Sequence, residues 1–268
     1  MIETTGEEEP FGASEPAVVV ALETGQSQVD PPPEPVPETA LVVCAHPDDV
    51  DFGAAGTVAS WTARGALVTY CIVTDGSAGA VDATVDSETL VVTRQREQRE
   101  AAAAVGVEDV VYLGYPDGEL EPSQAVRRDI VRLIRARRPD VVVCQSPERN
   151  YERIRASHPD HLAAGEATIR AVYPDARNPL AHRELLEAGY APFEVPEVWM
   201  MASPTPDRHV DITDVFDRKL AALSCHKSQL KDSERLSGVL RGFAAATAER
   251  FGLPDGRLAE AFQVVDTR

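Results

Sequence analysis

Two short stretches gather residue types that do chemistry together. Ala45-His46-Pro47-Asp48-Asp49 offers an imidazole and two carboxylates, and Ser157-His158-Pro159-Asp160-His161 offers two imidazoles and a carboxylate. A catalytic zinc ion takes three protein ligands from imidazole nitrogen and carboxylate oxygen, and it keeps one position for a water whose pKa falls towards neutrality. A His-x-x-Asp turn can supply two such ligands while the intervening Asp48 points elsewhere, because adjacent residues cannot all face one ion. A carboxylate left free beside that water is a general base. An imidazole outside the ligand set can stabilise an oxyanion or protonate a leaving amine. The chemistry implied is hydrolytic. Each stretch alone has a plainer reading, since Pro-Asp-Asp makes turns and caps helices and His-x-x-His is a common solvated pair at a helix start. Their joint placement at the ends of strands of one sheet selects the metal reading.

That placement follows from the hydrophobic pattern. Leu41-Val42-Val43-Cys44, the run Leu67–Val73, Val110-Val111-Tyr112-Leu113 and Val141-Val142-Val143-Cys144 are continuous apolar runs of the kind that form strands buried on both faces. Helical periods lie between them. One covers 90–105 with Gly106 as its C-cap. Another carries the stripe Val126, Ile130, Leu133 and Ile134. Pro159 suits the first turn of a helix capped by Ser157 or His158. Strand–helix–strand repetition at about 30-residue spacing implies parallel strands with right-handed crossovers. The expected architecture is a single-domain, Rossmann-like three-layer α/β/α sandwich with a mostly parallel sheet. Its ligand loops should follow residues 45, 74, 113 and 144.

Composition narrows the partners. The 268-residue chain has a net charge of −18, which argues against nucleic acid and against electrostatic docking on anionic lipid. No apolar run approaches the roughly 20 residues of a membrane span, and no basic, then apolar, N-terminal pattern marks a secretory signal. A cytoplasmic enzyme is expected. Residues 1–38 hold nine acidic residues, no Lys or Arg, and seven of the 20 prolines. They read as a disordered acidic, Pro-rich tail before a domain spanning 39–268, with Ala17–Leu22 as an alternative edge strand. Cys44, Cys71, Cys144 and Cys225 form no Cys-x-x-Cys pair and read as small hydrophobes in a reducing compartment.

The two His/Asp stretches, in this order, resemble the zinc-dependent PIG-L / LmbE-like N-deacetylases. Supporting stretches are Phe52-Gly53-Ala54-Ala55-Gly56, Val73-Thr74-Asp75-Gly76, Arg94-Gln95-Arg96-Glu97, Gly114-Tyr115-Pro116-Asp117-Gly118 and His226-Lys227-Ser228-Gln229. The resemblance covers most of 40–230. It implies His46, Asp49 and His161 as ligands of Zn2+, with Fe2+ as the alternative ion, Asp48 as general base, and His158 as the oxyanion or amine partner. It implies Arg94 and Asp117 as contacts to sugar hydroxyls and His226 near the pocket mouth. The substrate implied is a small N-acyl amino sugar or glycoconjugate, and the likeness leaves a homo-oligomer open. Two positions depart from the pattern. Ala156 stands where some relatives carry a Tyr, which removes a tyrosine contribution to oxyanion binding. Val50 replaces an acidic residue behind the ligands.

Other readings of the same residues compete. Two histidines and a carboxylate also form the facial triad of non-haem iron oxygenases, although those sites sit in β-barrels. A non-catalytic sugar- or partner-binding protein on the same fold is the other alternative. His182 and His209 read as solvated or structural. His226 also suits the C-terminal dipole of a helix striped by Phe216, Leu220 and Leu223. The arginines at 135–138 read as a solvated helix face. Gly76 and Gly79 do not make a dinucleotide-binding loop.

Overall fold

Alternation within each strand sorts the side chains onto two faces, and that alternation builds both cores. The structure is a computed structural model and describes residues 36–80, 84–230 and 233–268. The expected tail and the alternative strand at 17–22 therefore lie outside the described residues, apart from 36–38. In strand β1 (Thr39–Cys44), Ala40, Val42 and Cys44 point into one core, while Leu41 and Val43 point into the other. The same division continues along β2 (Leu67–Thr74) and β4 (Val141–Gln145). Both faces are covered, so the strands read as unbroken apolar runs.

Among the described residues, seven strands make one mixed sheet. With β3 (Asp109–Tyr115), β5 (Glu197–Met201), β6 (Arg208–Asp211) and β7 (Ala259–Asp266), the order is β3-β2-β1-β4-β5-β7-β6. Strands β1 to β5 run parallel, and β7 pairs antiparallel with β5 and β6. Helices α1 (Asp49–Gly53) and α2 (Ala55–Ala63), and α3 (Ser87–Ala104), α4 (Gln124–Arg137) and α5 (Pro159–Arg170), follow β1, β2, β3 and β4 respectively. Short α6 (Arg183–Glu187) precedes β5, and α7 (Phe216–Leu223) and α8 (Ser233–Arg250) precede β7. One core holds Val58, Trp61, Phe216 and Leu223 on the α2 and α7 side, and the other holds Ile130, Ile134, Ala164 and Ala167 from α4 and α5. The three-layer α/β sandwich with a mostly parallel sheet is thus the observed fold.

Local chemistry sets the helix ends. Asp86 accepts the Thr89 amide at the start of α3, and Ser123 accepts the Val126 amide at the start of α4. Gly106, at φ +82°, ends α3 in the left-handed conformation.

Two surface readings need correction. Arg135 is not on a solvated face: it is 3 % exposed, and its guanidinium donates to the carbonyls of Asp175, Ala176, Asn178 and Ala181. That irregular stretch has no sheet partner for those oxygens, so an arginine supplies the donors. His182 likewise lies 3.3 Å from Asp175, with its side chain largely covered.

Helix α5 carries His161 and packs very close to the end of β4. A β-carbon at Gly165 would collide with the carbonyl oxygen of Gln145. Gly165→Ala is therefore expected to destabilise the protein by about 1–3 kcal/mol through overpacking, measured by urea unfolding. Helix propensity alone would give a gain of roughly 0.5–1 kcal/mol, so a stabilised variant would contradict this packing.

Candidate metal centre

The first loop is tied to the sheet before it turns. The Ala45 amide donates to Gln145 Oε1 at 2.9 Å, and the Ala45 carbonyl accepts from the Thr74 amide and hydroxyl. The His46 amide then donates to Asp49 Oδ2 at 2.7 Å. Asp48 sits at φ +96°, ψ −26°, a left-handed conformation that Asp tolerates better than most residues. Helix α3 holds this conformation. Arg94 Nη2 donates to the Pro47 carbonyl at 2.8 Å, and Gln98 Oε1 accepts the Asp48 amide at 2.7 Å. Those two groups are the ends of one peptide unit. Residues 94 and 98 lie one turn apart on the same helix face, so α3 grips the peptide that aims the Asp48 side chain.

The second loop is shaped by caps. His158 Nδ1 accepts the Asp160 amide at 3.2 Å, and Pro159 fills the first helical position of α5. His161 Nδ1 lies 3.2 Å from the Ala156 carbonyl. A carbonyl only accepts, so Nδ1 carries a proton, and in the neutral ring Nε2 presents the lone pair.

The loops meet at two imidazole nitrogens and the two oxygens of the Asp49 carboxylate. His46 Nδ1 and His161 Nε2 are 3.2 Å apart, His161 Nε2 is 3.0 Å from Asp49 Oδ1, and His46 Nδ1 is 3.3 Å from Asp49 Oδ2. Zinc bonds of roughly 2.0–2.1 Å in tetrahedral geometry separate neighbouring ligands by about 3.3 Å. The donor spacing therefore fits one divalent ion. The other nitrogen of His46, Nε2, lies 3.1 Å from Asp160 Oδ2 and 3.0 Å from Asp117 Oδ1, the carboxylate support that metal-binding imidazoles commonly have. The His158 ring lies 5.1 Å from His46 and 5.5 Å from His161, so His46, His158 and His161 could also share an ion. His158 is more exposed, and its Nδ1 is already engaged.

Groups of both charges crowd this cluster and shift one another. Burial disfavours a charged His46, yet hydrogen bonds to Asp117 and Asp49 and their charges outweigh it and hold the ring at about 11. Burial also opposes the Asp49 carboxylate, but His161 and His46 keep it well below the usual range. Burial, and then the Asp49 charge, push Asp48 up to about 7 against the pull of Arg94, His226 and His46. Burial and the nearby His46 charge lower His158, leaving it neutral near pH 7.

The structure brings His46, Asp48, Asp49, Asp117, His158 and His161 together. Arg94 and His226 are placed differently from the expectation. The guanidinium of Arg94 is 4 % exposed and engages the Pro47 and Gly76 carbonyls, with Asp48 at 3.5 Å and Asp117 at 3.7 Å. It shapes the loops from behind. His226 is not at a pocket mouth: it is 1 % exposed and lies 2.8 Å from Asp51, which also accepts from Gln98. Sequence reasoning missed Asp160, which takes the Gly118 and Leu120 amides and so fastens the β3–α4 loop to α5. It also missed Gln98 and Asp51. Only Asp160, inside the quoted His-Pro-Asp-His stretch, had a local signal.

Fold and side chains together define an α/β protein that gathers His46, Asp49 and His161 where β1 and β4 end. The family model described as PIG-L, GlcNAc-PI de-N-acetylase, matches residues 41–172. Diacetylchitobiose deacetylase of Thermococcus kodakarensis is 36 % identical over 201 residues, covering 74 % of this chain and 73 % of that protein. A probable N-acetyl-α-D-glucosaminyl L-malate deacetylase 2 of Bacillus cereus is 33 % identical over 194 residues, covering 70 % and 82 %. The crystallised N,N'-diacetylchitobiose deacetylase of Pyrococcus horikoshii, complexed with an inhibitor, superposes with a TM-score of 0.79 at 31 % identity, covering 86 % of this chain and 84 % of that one. The chain belongs to the PIG-L (LmbE-like) family.

The His226–Asp51 pair makes stability depend on pH. Burial opposes the imidazolium, but the Asp51 hydrogen bond and charge outweigh it and raise the His226 pKa above its ordinary 6.5. The pair's contribution is therefore in place below 6.5 and fades as pH rises through the elevated value. His226→Gln is expected to lose about 3 kcal/mol in urea unfolding at pH 6 and less at pH 9. A loss that grows with pH would contradict the assignment.

Proposed function

We propose that the chain is a zinc-dependent amidohydrolase that removes the N-acetyl group of an N-acetylglucosamine-type sugar or conjugate. The spacing of His46 Nδ1, Asp49 and His161 Nε2, at 3.0–3.3 Å from one another, carries this reading. The relatives at 31–36 % identity support it, because their names describe deacetylases of N-acetyl sugars. His46, Asp49 and His161 would hold the ion. When bound, zinc supplies Lewis acidity and acidifies a water.

The protein's own groups do the rest. Asp48 belongs to no pair of the donor set and takes the proton of the attacking water. His158 accepts the Asp160 amide at Nδ1, so in its neutral form Nε2–H is the donor. That N–H stabilises the oxygen that gains charge when water adds to the acyl carbon. The C–N bond then breaks, the proton returns to nitrogen, and amine and acetate leave. Gln98 and Arg94 act as positioning residues, since their grip on the Pro47–Asp48 peptide sets where the base points.

The three buried cysteines carry no disulfide, and no helix among the described residues is long and apolar enough to cross a membrane. We place this activity in the cytoplasm and the catalytic domain at 39–268.

Elemental analysis of the purified protein, followed by amine release from N-acetylglucosaminides, tests the reading. Asp48→Ala should keep its zinc and lose about 10²–10⁴-fold in kcat, whereas His161→Ala should lose the metal. Full activity in Asp48→Ala would rule out the assignment. Gln98→Met removes the acceptor for the Asp48 amide without touching a ligand. It should lower kcat at least about tenfold with little change in KM and with metal content intact, and an unchanged kcat would remove Gln98 from the mechanism.

A further inference from the structure

A cavity of about 400 Å³ opens on one side of the His/Asp cluster. Asp49 and His161 form part of its wall, whereas Asp48, Arg94, Asp117 and His158 do not. The far wall is α8, which presents Leu236, Leu240, Phe243 and Ala244 at helical spacing. Met201 and Phe52 close the wall from β5 and α1. Helix α8 lies outside the 41–172 stretch that the family model matches. A surface helix normally turns polar residues to water, yet Val239 is 47 % and Phe243 57 % exposed along this wall, with Phe52 at 40 %. Apolar side chains left open beside convergent polar groups mark a ligand groove.

The division of groups gives the cavity an orientation. An amide carbonyl placed at an ion that His46, Asp49 and His161 would hold has its nitrogen on one side and its acyl chain on the other. Asp117, outside the cavity wall, offers a hydrogen-bond partner to a hydroxylated amine half, while Leu236, Leu240, Phe243 and Met201 offer hydrocarbon within a lining that also holds Asn150, Glu152 and Arg153. We propose that the cavity binds the acyl half of the substrate and that the enzyme favours N-acyl chains longer than acetyl. This rests on the amidohydrolase reading and names its substrate class. An acetyl methyl would leave most of the space against Leu240, Phe243 and Met201 to water, whereas an alkyl chain buries those side chains and itself. The reaction is otherwise unchanged: water oxygen bonds to the acyl carbon, the C–N bond breaks, and a fatty carboxylate leaves in place of acetate.

The full-length zinc protein is assayed with N-acetyl-, N-butanoyl-, N-hexanoyl- and N-octanoylglucosamine and, in parallel, with octyl N-acetylglucosaminide. Binding is measured by calorimetry on the Asp48→Ala protein. The expected result is a kcat/KM that rises about two- to fourfold per added acyl methylene as far as hexanoyl. The rise should flatten in the double variant Val239→Ser/Phe243→Ser and persist in Ala245→Ser, a change on the same helix outside the cavity wall. A kcat/KM that is level or falls with acyl length overturns the proposal, as does a gain confined to the octyl glycoside. So does a self-association that Phe243→Ser abolishes while acyl length has no effect. If no compound releases amine, the amidohydrolase reading fails by itself. Tighter binding of N-octanoyl- than N-acetylglucosamine would still support the groove, and equal binding would overturn it.

Discussion

The parallel pairing of β1 with β4 is the contact on which the site depends. The two strands are neighbours in the sheet, with Val43 opposite Cys144, although a hundred residues separate them in the chain. Strand order reverses there: β2 and β3 lie beyond β1, and β5 lies beyond β4. The loops leaving the two carboxyl ends diverge to opposite sides and open a crevice between them. His46 and Asp49 enter it from one strand and His161 from the other. Neither loop holds a complete donor set. A slip of one residue would exchange Val42 and Val43 between the two cores, so the packing that fixes the register also fixes the spacing of the donors.

Concentrating carboxylates in that crevice is costly unless each has support. Asp160 accepts two amides, Asp117 accepts the Ala78 amide, and Asp49 accepts the His46 amide. These backbone dipoles favour the anionic forms. Asp48 differs, because among the described residues its carboxylate has no amide donor, and Arg94, at 3.5 Å, is the cation at ion-pair distance. This difference supports the proposed division of labour. Carboxylates fixed by amides suit holding a cation or an imidazole, and the one lacking them is the one free to take a proton. Its backbone, in contrast, is the most firmly held of the loop, since α3 grips both ends of the preceding peptide.

The parts of the fold legible in the sequence were the continuous apolar runs and the clean stripe of α4. Strands β1, β2 and β4 bury both faces as expected, whereas β3 lies at the sheet edge and is only partly buried, although its run Val110–Leu113 still marked it as a strand. Strand β7 could not be read. Its Ala259-Glu260-Ala261 start carries a buried glutamate paired with Lys219 and the Thr57 amide and hydroxyl, and such a network has no local signature. Glu197–Met201 was hidden because its strand character depends on β4 and β7 lying on either side. In the site, the residues on the two His/Asp loops were legible because chemistry and spacing coincide within each loop. Gln98 and Asp51 were not, because their roles exist only across the space between α3, α1 and α7.

The buried cations share one physical cause. Arg135, Arg94 and Lys219 look like surface residues by type, yet each lies at 3–4 % exposure with carbonyl oxygens as partners. All three serve backbone that leaves regular structure: the 175–181 stretch, the Pro47 and Gly76 turns, and the end of α1 at Phe52. A buried carbonyl outside helix or sheet needs a donor, and guanidinium or ammonium groups bring several on a long stem. Catalytic loops at strand ends are the places where regular pairing stops, so they draw such residues towards them. A cation near a reactive loop is therefore as readily a prop for the backbone as a hand for the substrate. For Arg94 the count of carbonyl partners decides in favour of the prop.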